Sequence, residues 1–378
     1  MATFDVAVVG LGAMGSAALY HLSRRGRRVI GIEHASPGHD GGSSHGESRI
    51  IRLAQFENPA YTPLVRRAWE LWDELGREAG QALIVRTGIL EAGPPGAPIV
   101  EGSLRAARDH GLAHEILTAA ATRSRFPAFD LPEHWTIVAQ ADAGIVRADL
   151  AVAAHMAGAK AAGAEARTAT VEALEPSSAG VRMRLAGGDA VEAGAVIVAA
   201  GAGMAELVPE LAPLLRITRQ PVGWFAPPRP ADCGPDRFPV FVIEDEAEAI
   251  YGFPDFAGTG VKAASHRLGR TLARAADARQ DATAEDLAPT VEALSRLIPG
   301  AAGPLQALKT CLYTSTPDDE FIIDRHPDDP RIILCSVCSG HGFKFASVFG
   351  EMLADMAVGG DMPPAFRAFA LERFGQAR

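Results

Sequence analysis

Four cations and one thiol stand in settings that their residue types rarely choose. Lys262 lies between Val261 and Ala263 in a stretch that reads as a strand, where lysine is unusual. Lys344 sits in the glycine-rich turn SGHGFKF, behind an apolar run and at the start of a helix. A cation and a helix N-terminus placed together stabilise negative charge. Arg49 and Arg52 lie three residues apart in SRIIR, flanked by isoleucines, and a guanidinium suits a carboxylate in two-point fashion. Surface ion pairs for the arginines and a solvated face for the lysine are the plainer readings. Cys311, in LKTCLYTSTPDDEFIID, is either a small buried filler or a thiol with a task.

The elements that must position these residues begin with FDVAVVG, a continuous apolar run short enough to be a buried parallel strand. It leads into Gly10-Leu11-Gly12-Ala13-Met14-Gly15, the helix SAALYHLSRR and a second strand, RVIGIE, ending at Glu33. Strand, glycines, helix and terminal acid together make a dinucleotide-binding fingerprint. Gly10 allows the tight turn, Gly12 lets the backbone approach a pyrophosphate, and Gly15 lets helix and strand pack closely. Glu33, 18 residues beyond Gly15, is placed to bond a ribose hydroxyl. A purely structural glycine turn is the competing reading. A nicotinamide dehydrogenase would continue with further βα units. Here a polar loop (GHDGGSSHGESR) and the helix YTPLVRRAWELWDELGRE follow instead. Further strand-glycine units come at AVIVAAGAG and at RIILCSV with the turn Ser339–Gly342, so one nucleotide domain is distributed over the chain. Residues 216–260 read as strands with Pro/Gly punctuation, which suits an antiparallel sheet. Residues 282–298 read as an amphipathic helix. The expected fold is α/β: a discontinuous Rossmann-like domain (1–85, 145–215, 320–378) with an inserted antiparallel-sheet substrate domain (86–144, 216–319).

The 378 residues, 48% hydrophobic and 22% charged, describe a well-packed chain of two domains. A net charge of −10 argues against a nucleic-acid partner and against an anionic membrane surface. Four cysteines make no disulfide scaffold. Cys335 and Cys338 form a CxxC, but IILCSVC reads as a buried strand, and His341 alone cannot complete a zinc site, so no metal is expected. The N-terminus enters a strand at once, and no apolar run reaches the roughly 18 residues of a spanning helix. A soluble cytoplasmic protein is expected.

The fingerprint, HGESRIIR, YGFPDFAGTGVKAASH, KTCLYTSTPDDEFIID and SGHGFKF occur in this order, and together they closely resemble the monomeric sarcosine oxidase and N-methyltryptophan oxidase family. This is a family of FAD-dependent amine oxidases in the D-amino-acid-oxidase-like group, and the likeness runs to about residue 358. The resemblance implies FAD bound covalently through a thioether to Cys311, with Tyr313 and Thr314 following as the pattern requires. It implies cofactor contacts from Gly10, Gly12, Met14, Gly15, Glu33, Ser44, His45, Ser48, Arg49, Val171, Gly201, Gly340, Gly342, Phe343 and Lys344. The same resemblance implies that Arg49 lies over the flavin face, that Arg52 and Lys344 take the substrate carboxylate, and that Lys262 is the site of O2 reduction. Tyr251 and His266 line and polarise the substrate pocket. Gln55, expected to bind substrate, stands where the family has a tyrosine that helps close the pocket, and Val337, Cys338 and Ser265 also differ from the family's pattern. The implied activity is oxidation of a secondary-amine α-amino acid, N-methyl, cyclic or otherwise N-substituted, with hydride to FAD, O2 reduced to H2O2 and the imine hydrolysed. The alternatives are an amine dehydrogenase on the same scaffold and an NAD-dependent dehydrogenase. The family is mostly monomeric, and a monomer is expected, with the amino acid and O2 as its partners.

Overall fold

The computed structural model describes residues 3–375 apart from 37, 276 and 278–281. The apolar run after the N-terminus forms the strand Thr3–Val9, and Val6 to Val9 are buried on both faces. It pairs in parallel with Val29–Glu33 on one side and Ala190–Val198 on the other. Glu165–Thr168 extends the sheet beyond Val29–Glu33, and Ile332–Ser336 extends it beyond Ala190–Val198, both in parallel. Strands scattered over more than 300 residues of sequence thus meet in one sheet, as the expectation of a distributed nucleotide domain requires. An antiparallel meander, Val171–Ser177 and Gly180–Leu185, and the strand Ile322–Arg325 complete its eight strands. The helix Ala13–Arg24 packs between Ala148–Ala161 and Ala346–Ala357. Gly350 permits the closest approach, because a Cβ there would lie 2.4 Å from the Ala17 side chain.

The second large sheet has nine strands and gathers the segments between these units. Its hub is Arg216–Phe225, which pairs antiparallel along its length with Leu305–Ser315 and also with Val261–Ser265 and Arg270–Leu272. Ala249–Phe253, Val240–Glu244, Ile89–Gly93, Thr136–Gln140 and Glu115–Leu117 continue it outward. The sheet is mixed rather than wholly antiparallel, because Val240–Glu244 runs parallel to Ile89–Gly93. A three-stranded sheet, Arg49–Arg52, Ala143–Val146 and Ile84–Arg86, bridges the two large sheets in sequence. The division expected between residues 144 and 145 therefore falls inside the strand Ala143–Val146. Among the described residues no helix is long and apolar enough to cross a membrane.

Candidate active site

The glycine turn has the geometry of a cradle. Gly10 adopts φ +89°, and a Cβ there would lie 2.4 Å from the Ala199 carbonyl oxygen. A Cβ on Gly15 would lie 1.7 Å from the Gly10 carbonyl oxygen, so only glycine lets helix and strand approach this closely. Gly12 is the N-cap of the helix and has no side chain to occupy that end, while Ser44 Oγ accepts from Ala13 N at 2.9 Å. Glu33 is buried, and its Oε2 accepts from Leu11 N at 2.7 Å. Its Oε1 lies 2.6 Å from His34 Nδ1 and 3.5 Å from His39 Nε2. Met14 is in the first turn of the helix, and Gly201 (φ +55°) opens the short 3-10 turn Gly201–Gly203 that follows Ala190–Val198. Val171 lies just beyond Glu165–Thr168, the strand that pairs beside Glu33. These are the features that a dinucleotide such as FAD requires: a glycine-walled turn, a helix that starts on glycine and an acid at the end of the second strand.

The loop after this cradle carries Arg49 and is tied down by it. The guanidinium donates to the carbonyls of Ser43 (2.9 Å), His45 (2.7 Å) and Ser48 (2.8 Å) and lies over the Phe343 ring. His45 Nε2 bonds the Thr310 carbonyl at 3.1 Å, joining the loop to the strand that bears Cys311. Cys311 is half-buried, with its Sγ 3.9 Å from the Ser43 carbonyl oxygen. Lys262 is buried opposite the same loop and donates to Ser48 at 3.0 Å (carbonyl) and 3.1 Å (hydroxyl). Sheet register places Trp224 and Phe253 on its two flanks, with ring centroids 5.5 and 4.6 Å from Nζ. Burial, with Arg49 adding to it, pushes the Lys262 ammonium down to about 7. The Tyr251 and Tyr313 hydroxyls bond each other, and burial raises the pKa of both. Gly340 (φ +77°) leaves room for Tyr313, since a Cβ there would meet its ring at 2.7 Å. Gly342 packs under the Val337 carbonyl in the same turn, just ahead of Phe343–Phe345.

Arg52 and Lys344 do converge, but not as unpaired cations. Both are buried, and both reach Glu57: Arg52 Nη2 at 2.6 Å and Lys344 Nζ at 3.5 Å. Arg52 Nε also lies 3.3 Å from Glu91, and its guanidinium covers the Phe56 ring at 4.1 Å. Lys344 donates to the His341 carbonyl at 2.9 Å, and Trp72 Nε1 donates to the Lys344 carbonyl at 3.0 Å. Burial would raise the Glu57 pKa, but Arg52, Lys344 and His341 outweigh it and hold the carboxyl well below its usual range. Burial pushes Lys344 down to about 7 against the pull of Glu57. His266 packs edge-on to Phe56 and Tyr251, and burial lowers its pKa to about 4, so the imidazole is neutral. A cavity of about 450 Å³ opens beside it, lined by Phe56, Glu57, Ile99, Ala249 and His266 among others.

Gln55 does not sit as expected at a pocket edge. It is fully buried and its amide donates to the Arg52 carbonyl, so it braces the arginine's backbone while the neighbouring Phe56 takes the cavity wall. Glu57, Glu91 and Phe56 were not singled out from the sequence. The signal for Glu91 was present in GILEAG, a charge inside an apolar strand, which is the same anomaly that marked Lys262. The CxxC cysteines are both free, and burial keeps them as thiols: it pushes Cys335 up to about 12 and raises Cys338 as well.

The sequence profile of the FAD dependent oxidoreductase (DAO) family matches residues 5–356. Monomeric sarcosine oxidase of Streptomyces avermitilis is 39% identical over 366 residues, 95% of this chain and 94% of that one. N-methyl-L-tryptophan oxidase of Yersinia pestis is 34% identical over 375 residues, covering 98% and 99%. The open form of NikD, an amino acid oxidase of nikkomycin biosynthesis, superposes with a TM-score of 0.85 at 23% identity over 98% of each chain. With glycine cradle, cation cluster and full-length relatives in agreement, this chain belongs to the FAD dependent oxidoreductase family, among the relatives of monomeric sarcosine oxidase and N-methyl-L-tryptophan oxidase.

Proposed function

We propose that this protein is an FAD-dependent oxidase of a secondary-amine α-amino acid, reducing O2 to H2O2, with the cofactor held covalently through Cys311. FAD would rest on Gly10, Gly12, Gly15 and Glu33 and on the loop carrying Ser44, His45, Ser48 and Arg49, in the domain built on the eight-stranded sheet. Once bound it supplies the two-electron acceptor. The protein's own residues bind, orient and exclude water. Arg52 and Lys344 take the substrate carboxylate, displacing the share of their charge that Glu57 now neutralises. Neutral His266 and the Tyr251–Tyr313 pair border the substrate without adding charge, which leaves the reacting amine free of an imposed proton. Lys262, held by Ser48 between two rings, offers a fixed positive charge to the negative charge that O2 acquires as it is reduced. The protein would act as a monomer in the cytoplasm.

The convergence of two buried cations on one exchangeable carboxylate carries this reading. Peroxide release should be measured against a panel of N-methyl, cyclic and glycated amino acids, each beside its decarboxylated amine and its methyl ester. The free acids should be oxidised and the other two forms should fail; equal oxidation of an ester or amine overturns the carboxylate site. Acid-precipitated protein should keep its yellow colour in the pellet, and Cys311→Ser should release flavin to the supernatant. A colourless wild-type pellet excludes the thioether.

A further inference from the structure

Arg52 is pinned on two edges, and only one partner faces the cavity. Glu57 reaches Nη2 from the cavity side. Glu91 reaches Nε from within the sheet, at 3.3 Å, and is completely buried. Its other oxygen, Oε2, accepts from Gln140 Nε2 at 2.8 Å and from Ser103 Oγ, and Gln140 also donates to Ser103 Oγ at 2.8 Å. Three elements thus hold this carboxyl: its own strand Ile89–Gly93, the helix Pro98–His110 and the strand Thr136–Gln140. The groups opposite Glu91 on paired strands are apolar, Val138 and Val242. The charged groups that bear on it are Arg52, Glu57 and, farther off, Lys344; His266 and His341 face Glu57 instead. Glu244, on the neighbouring strand, is engaged with Ile99 N.

Charge counting gives this arrangement a consequence. With Lys344 protonated and both glutamates ionised, two cations and two carboxylates cancel. A third carboxylate, the substrate's, entering at Arg52 and Lys344 would leave one uncompensated negative charge in a buried cluster, which is costly. Protonating one resident carboxyl restores neutrality. Glu57 borders the cavity and is stabilised as an anion by three groups. Glu91 is enclosed, has Arg52 as its one near cation among the described residues, and already has hydroxyl and amide neighbours at Oε2.

Resting on the carboxylate site proposed above, we propose that Glu91 is a positioning residue for Arg52 and takes up one proton when an anionic substrate binds. Burial supports this assignment by pushing the Glu91 carboxyl up to about 7 against the opposing pull of Arg52. A bound anion opposite Arg52 raises it further. Above pH 7 the free protein holds Glu91 ionised, so binding must bring a proton with it and weakens as pH rises. Well below pH 7 the proton is already present, and this group contributes no pH dependence.

The test uses the holoenzyme and propionate, an anion that lacks the amine. Calorimetry at pH 8 in buffers of different ionisation enthalpy should show about one proton taken up per propionate, and the Kd should rise by about tenfold per pH unit between 7.5 and 9. Glu91→Gln should abolish the uptake and flatten the Kd over that range while the reduced flavin spectrum stays unchanged. Ser103→Ala, which removes one donor to the carboxylate, should move the onset of the pH dependence upward and guards against a Glu91→Gln protein that does not fold. Uptake that persists in Glu91→Gln and vanishes in Lys344→Met assigns the proton to the lysine and overturns the proposal alone. An unmoved onset in Ser103→Ala counts equally against it. If propionate fails to bind, or binds with no loss in Arg52→Ala, the carboxylate site itself is wrong and the proposal falls with it.

Discussion

A lysine and a glutamate show how burial turns ordinary side chains into reagents. Among the described residues Lys262 has no carboxylate in ion-pair contact; its ammonium rests on Ser48 and two ring faces. Such a charge is weakly compensated, so it is available to a partner that becomes negative. Lys262→Met should slow reoxidation of the reduced enzyme by about a hundredfold or more, with much less effect on anaerobic reduction by substrate. Rapid mixing of each half-reaction separates the two, and equal losses would make the lysine structural. Because burial holds this ammonium near 7, its charge is complete below that value and is lost as pH rises through it. Wild-type reoxidation should therefore slow toward high pH, and the Lys262→Met variant should lose that trend. Glu57 is the counterpart. It pairs with Arg52 and Lys344, where the proposed substrate carboxylate would compete with it. Glu57→Gln should cost about 3 kcal/mol of stability, the low end for removing one member of a buried pair, since Glu91 still serves Arg52. The same variant should bind propionate more tightly, and saturating propionate should restore much of the lost Tm. A stable variant with unchanged propionate affinity would show that Glu57 does not compete for the site.

The elements hold these side chains through backbone contacts more than through size. The hub strand Arg216–Phe225 fixes Cys311 opposite Gln220 and Lys262 opposite Trp224, so one register sets both sites. A slip of one residue would turn both chains of side chains to the other face. The cradle is equally unforgiving. Gly15→Ala places a methyl 1.7 Å from the Gly10 carbonyl oxygen, where backbone and not a flexible side chain must give way. Overpacking of this kind costs about 1–3 kcal/mol or more. Thermal denaturation should show the loss, and flavin content per chain should fall with it. A Gly15→Ala protein with full flavin and wild-type Tm would refute the close-packing role.

At the scale of the molecule, the two large sheets meet the expectation of one nucleotide domain assembled from distant segments and one inserted sheet. Large apolar residues exposed among the described positions are Ile116, Leu268, Val291 and Leu305, which are scattered through the chain. Large contiguous exposed apolar patches mark interaction surfaces. Sedimentation at micromolar concentration should give a single species near 39.7 kDa, and a dimer under those conditions would overturn the proposed monomer.

Sequence alone determined what depends on neighbours along the chain. The turn Gly10–Gly15, its flanking strands and Glu33 lie within one βαβ stretch, where spacing and residue type are enough to specify geometry. Lys262 and Lys344 were visible as charges in apolar surroundings, and Cys311 as a member of a recognisable block. Tertiary structure decided everything that depends on distance across the fold. Arg52 and Glu57 are neighbours in the sequence, but Glu91 and Lys344 come from distant segments, and no spacing in the sequence states that all four share one buried cluster. The sequence suggested two cations awaiting an anion; the fold supplies an anion of its own and a second carboxyl behind it. Gln55 likewise reads as a pocket residue until the backbone turns its amide onto Arg52 and gives the wall to Phe56. Local backbone preference selects the elements, but charge compensation is a property of the low-dielectric interior that only the assembled chain creates.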